Sequence, residues 1–142
     1  GRNLGYLTSL NKIKPDLSET QDPNDITATQ ALIIRSFQLL IKECNSSESF
    51  SDAERKYIET VSNTVRTKCS QTALQFQRVS AAVSTTMTDD ERMQRLNTLA
   101  AEMQEHKNFT MAFCASTRNL GAQRAKEKRE AIINRQLNST NP

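Results

Sequence analysis

The sequence predicts an all-α fold: an antiparallel helical bundle of three long helices, with a short helix before them. Three observations predict it. Apolar residues recur at spacings of three, four and seven through most of the chain. Only three Gly and three Pro occur in 142 residues, too few for the tight turns of an all-β fold. Two Ser/Thr-x-x-Glu capping boxes stand where helices should begin.

Leu4, Leu7, Leu10 and Ile13 space a short amphipathic helix that Pro15 ends. Residues 15–25, "PDLSETQDPND", then read as a polar linker. Asn24 or Asp25 can cap the next helix, expected over about 26–44. Ile26, Ile33, Phe37, Leu40 and Cys44 form its inner face, and Leu32, Ile34, Leu39 and Ile41 widen that face until it is apolar nearly all round. Such a helix should sit in the middle of its neighbours.

"NSSESFS", Asn45 to Ser51, reads as a loop. Ser51-Asp52-Ala53-Glu54 is a capping box, and the helix behind it is expected over about 52–83. It carries Ile58, Val61, Val65, Cys69, Phe76, Val79 and Val83, with Thr72 and Ala73 in the gap. Ser84, Thr85 and Thr86 compete for backbone hydrogen bonds and favour a turn there. Thr88-Asp89-Asp90-Glu91 is a second capping box. The last helix is expected over about 89–120, continuing to about 137, through Met93, Leu96, Leu99, Ala100, Met103, Phe113, Cys114, Thr117 and Leu120, and Gly121 is a place where it could kink. Residues 138–142 read as a frayed tail, and 1–142 as one domain.

Met87 to Met103, "MTDDERMQRLNTLAAEM", resembles the capped amphipathic helix of some secreted helical antigens of parasitic nematodes. A capping box followed by heptads produces the same pattern, so no residue role is taken from it.

Composition excludes more than it identifies. A net charge of +3 is too small to imply nucleic acid, so none is expected as a partner. No apolar run approaches the roughly 18–20 residues of a bilayer span, so no membrane span is expected. Phosphate-cradling loops, zinc-protease and nucleophile-elbow motifs are all missing. One His and three Cys without CxxC spacing do not make a zinc site. Asp89-Asp90-Glu91 is explained by capping and the helix dipole. The chain is therefore expected to be no enzyme, with no catalytic residue, metal or cofactor.

Five features remain. Cys44, Cys69 and Cys114 form an odd set, and a disulfide, if one forms, joins Cys44 to Cys114 by their level along the bundle, leaving Cys69 as a buried thiol. Asn45, Asn108 and Asn138 open N-x-[ST] sequons and are candidate glycosylation sites, which favours an extracellular, secreted protein. Phe37, Phe76, Met93, Met103, Phe109 and Phe113 could line an apolar-ligand cavity, although their spacing is also that of simple core. The basic run Arg124, Lys126, Lys128, Arg129 and Arg135, broken by Glu127 and Glu130, reads as a solvated helix end, and His106 as a solvated helix residue. The expectation is a small secreted helical-bundle protein that acts by binding a partner protein or a small apolar ligand. The alternative is an intracellular helical adaptor or rod-like module. Oligomeric state cannot be read from the sequence.

Overall fold

The computed structural model describes residues 23–82 and 87–139. The expected short helix at 4–13, most of the 15–25 linker and the turn at 84–86 lie outside the described residues. Among the described residues three helices run in order: α1, Pro23–Ser46; α2, Asp52–Ala81; and α3, Asp89–Ser139. No strand occurs among the described residues, and each helix packs against the other two.

The directions follow from cross-helix pairs. Glu43 of α1 meets Arg118 of α3, while Ile26 borders the same hollow as Ala100 and Met103, so α1 and α3 run parallel. Thr72 of α2 meets His106, and Glu54 meets Arg124, so α2 runs back between them.

Helix starts follow local chemistry. At α2 the Ser51 hydroxyl accepts from Glu54 N at 3.1 Å, and Glu54 Oε1 accepts from Ser51 N at 2.9 Å; each satisfies a donor the helix start would orphan. At α3 the Thr88 hydroxyl accepts from Glu91 N at 3.1 Å. The start of α1 differs from expectation. The helix begins at Pro23, so Asp25 sits in its first turn rather than at its cap. Proline suits that place because the first-turn N–H it lacks would have had no partner.

The core has two parts. Ile26, Ile33, Phe37, Val65, Cys69, Phe76, Leu96, Leu99 and Met103 fill one end. Leu40, Cys44, Phe50, Ile58 and Cys114 fill the other, and Phe113 packs against both. Three corrections to the apolar faces follow. Leu32 and Leu39 are exposed, so α1 is not enclosed all round; among the described residues it has two neighbouring helices, which leave one flank of its broad apolar face open. Met93 and Leu120 are also exposed. Phe50, placed in a loop by its sequence context, is buried against α3.

The inner faces of α2 and α3 carry hydroxyls as well as apolar groups. Ser62, Thr72, Thr110 and Thr117 are buried. Thr72, Thr110 and Thr117 donate to the carbonyls of Lys68, His106 and Phe113, four residues back. A threonine that satisfies itself on its own helix can face a neighbour without the desolvation cost of an orphaned hydroxyl. This explains how helices so rich in Ser and Thr still pack.

Helix α3 does not end at Gly121 but is continuous through it. A Cβ built there would lie 2.9 Å from Phe50 Cζ, so the residue is small because the loop phenylalanine packs on the helix backbone. Arg55 fixes that loop: Nε donates to Cys44 O at 3.1 Å and Nη2 to Ser47 O at 2.6 Å. It thereby covers carbonyls that the end of α1 leaves without helical partners.

Candidate interaction surfaces

The three helices differ greatly in length: 24, 30 and 51 residues. Arg124 of α3 is level with the first turn of α2, where it donates to Glu54 Oε1 at 2.7 Å and to Ser49 O at 3.1 Å. Four residues on, Lys128 meets Glu48 of the loop at 2.8 Å. These are the last ion pairs to the bundle among the described residues. Beyond Arg124, α3 continues for about 22 Å at 1.5 Å per residue. Every residue from Lys126 to Ser139 is exposed.

This projecting end is amphipathic. Ile132, Ile133 and Leu137 are 39%, 53% and 60% exposed. Lys126, Arg129 and Arg135 have no ion-pair partner among the described residues. An open hollow of about 570 Å³, lined by Glu48, Ser49, Arg124, Ala125, Lys128, Arg129 and Ile132, lies where the projection leaves the bundle. The basic run thus divides: Arg124 and Lys128 hold the bundle end, and the other cations stay available.

A second exposed stripe lies where α2 meets α3. The Phe109 and Phe113 rings stack with centroids 5.9 Å apart, Tyr57 lies 6.3 Å from Phe113, and Phe113 reaches Phe37 in the core at 6.1 Å. Tyr57 and Phe109 are 63% and 50% exposed. Beside them, Thr72 Oγ1 lies 3.2 Å from His106 Nε2 and 3.4 Å from Glu102 Oε2. His106 is therefore not simply solvated, as its polar sequence context implied, but sits half-buried at a helix contact. Burial lowers its pKa below the usual 6.5 and Lys68 adds to this, while Glu102 and Glu105 oppose it. Thr72 is buried, so the hydroxyl has no approach for a substrate, and the three groups act as a polar contact between helices.

The six residues offered as a ligand lining are not brought together. Phe37, Phe76 and Met103 are closed into the core, Met93 and Phe109 are on the surface, and Phe113 bridges the two. A second hollow, of about 560 Å³, is open to solvent and lined by Asn63, Arg66, Thr67, Ser70, Gln71 and Leu74 of α2 alone.

Cys44, Cys69 and Cys114 are all buried thiols, so the expected Cys44–Cys114 bridge is not formed. Cys114 Sγ instead lies 3.9 Å from the Ser36 carbonyl oxygen of α1. Both side chains nevertheless belong to one core cluster. Burial raises all three thiol pKa values, that of Cys69 to about 11. Among the sequons, Asn45 and Asn138 are exposed, whereas Asn108 is half-buried beside the fully buried Thr110 of its own sequon.

No helix of the described residues is long and apolar enough to cross a membrane, and no group of three or more His, Cys, Asp or Glu among them could hold a metal ion. Tyr57 and Glu102 were not singled out by sequence. The available signal was the run Glu102, His106, Phe109 and Phe113, which repeats at four, three and four residues. No family model, curated protein or solved structure matches the chain.

Proposed function

We propose that this protein is a small secreted helical bundle that works without catalysis, by binding another protein through the projecting end of α3. One observation carries the reading: the fourteen helical residues past Ala125, Lys126–Ser139, are all exposed, with Ile132, Ile133 and Leu137 among them. A helix of that length gains little stability in water by itself. An apolar groove on a partner would bury Ile133 and Leu137 as anchors four residues apart, the usual spacing of helix-in-groove recognition. Unpaired Lys126, Arg129 and Arg135 would favour an acidic rim and speed encounter. Exposed sequons at Asn45 and Asn138 support the secreted setting.

A second reading, an intracellular adaptor using the same surface, draws support from the three buried thiols. Mass spectrometry of the native protein separates the settings. Glycan on Asn45 supports secretion; three reduced thiols without glycan support the adaptor. The binding surface is tested by a photoreactive residue at Ile133 in the native setting. One discrete protein adduct is expected, lost in Leu137→Ser and absent with the probe at Thr64. Equal adducts at both positions, or none, would overturn the reading.

A further inference from the structure

The uncovered aromatic stripe between α2 and α3 needs an occupant, and the chain has one of fitting size. We propose that the N-terminal segment Leu4–Ile13, outside the described residues, docks as an amphipathic helix along Phe109, Phe113 and Tyr57 and completes a four-helix bundle. The inference is independent of the binding role given to the end of α3.

Reach supports it. Ile26 is level with Ala100 and Met103 of α3, so Pro23 lies one turn further up, near the level of residue 99. Phe109 is ten residues below that, about 15 Å along the axis. The stripe lies roughly one interhelical spacing, about 10 Å, to the side. Nine residues, 14–22, join Ile13 to Pro23 and span up to about 30 Å when extended, enough for the diagonal. As a helix the ten residues Leu4–Ile13 would measure about 15 Å, and the stripe from Phe109 to Leu120 is about 16 Å long. The same linker cannot bring this helix to Ile132, about 50 Å from the level of Pro23.

Charge selects the groove. Residues 1–14 carry Arg2, Lys12 and Lys14 and no acid. Glu102 and Glu105 stand seven and four residues before Phe109, with Lys68 the opposing cation facing His106 from α2. Leu32 and Leu39 of α1 and Met111 of α3 are also exposed, but Lys107 stands one turn before Met111, a like charge for this segment. Packing Leu4, Leu7, Leu10 and Ile13 on the rings would bury apolar surface on both sides without a foreign partner.

Two measurements test it. Phe109→p-benzoylphenylalanine keeps an aromatic ring at an exposed position, so the bundle should fold. Illumination is expected to link it to residues 4–13 of the same chain, with a yield that does not depend on protein concentration. Separately, in a Tyr6→Phe background Tyr57 is the sole tyrosine. Leu7→Ser with Leu10→Ser is expected to raise its iodide quenching about twofold while the groove itself stays unaltered. Links only between chains, rising with concentration, would assign the stripe to a second copy. Links elsewhere, or no link, together with unchanged quenching, would leave the segment off this groove. Any of these results overturns the proposal.

Discussion

Glu54 of α2 does two jobs with one carboxylate: Oε1 accepts from Ser51 N at 2.9 Å and from Arg124 Nη1 of α3 at 2.7 Å. The cap of one helix is thereby tied to the point where the other leaves the bundle. Arg124 also places its guanidinium carbon 6.0 Å from the centre of the Phe50 ring. Loop, cap and projecting helix meet at these three residues.

This predicts an acid-sensitive joint. The Arg124 hydrogen bond, followed by that from Ser51, lowers the Glu54 pKa from 4.5 to about 2. A carboxylate whose folded pKa is depressed contributes stability that is fully present above its unfolded pKa and is lost as pH falls toward the folded one. The melting temperature of Glu54→Gln should therefore lie below that of the wild type at pH 7, with the gap closing between about pH 4.5 and 2. Melts in a pH series read this directly. A gap independent of pH would mean that the carboxylate's charge contributes nothing there.

Gly121→Ala sets two effects against each other. A helix-interior Gly costs about 1 kcal/mol relative to Ala, so the exchange gains that on propensity. The new methyl would meet Phe50 Cζ at 2.9 Å and Cε2 at 3.0 Å, and overpacking of this kind costs about 1–3 kcal/mol. Phe50 is buried and closed in by its loop, so the clash should win, for a net loss of about 1 kcal/mol. In a Phe50→Ala background the sign should reverse. Denaturant midpoints across the four variants measure it, and an additive cycle would refute the contact.

The helices were legible because their signals are local. Ser51 and Thr88 announce starts, and inner residues such as Ile33, Phe37, Cys69 and Leu99 repeat at helical spacing. What the sequence could not give depends on neighbours. Leu32 and Leu39 look like core until the number of packed helices is known. Phe50 looks like loop until Gly121 is seen to make room for it. Cys44 and Cys114 look bridgeable until the Cys114 thiol is found against the Ser36 carbonyl. At the candidate surfaces, Arg124 and Arg129 are indistinguishable in sequence, yet one holds the bundle and the other is free of it, because α2 begins level with the first.

The thiols should be unreactive while the protein is folded. Thiolate is the attacking species, and burial holds Cys69 up to about 11 and raises Cys44 and Cys114 as well. At pH 8, iodoacetamide should label all three at least about tenfold more slowly than in denaturant. Rapid native labelling of Cys69 would show that the middle of α2 opens readily.

His106 predicts a second acid-sensitive contact, at higher pH than Glu54. Its pKa is lowered chiefly by burial, so the folded chain takes up that proton at lower pH than the unfolded one. The sign follows: stability is full above about 6.5, the unfolded value, and falls as pH drops through the folded pKa below it. The ring protons should titrate below 6.5 by nuclear magnetic resonance. His106→Gln should remove this part of the pH dependence while leaving the part due to Glu54. A titration above 6.5 would mean that Glu102 and Glu105 outweigh burial.

The projecting end of α3 should be dispensable for folding. Among the described residues Lys128 is the last with an ion pair to the bundle, to Glu48, and 129–139 are all exposed. Removing exposed groups that cover no apolar surface changes stability by less than about 0.5 kcal/mol. A chain stopped after Lys128 should therefore melt within about 2 °C of the full one, while its helical signal falls in proportion to the residues lost. Core damage supplies the contrast. Phe37, fully buried on α1, should cost about 3–5 kcal/mol when changed to Ala. If the shortened chain instead melts far lower, residues 129–139 contribute to folding, and the exposure of Ile132, Ile133 and Leu137 can no longer be assigned to a partner.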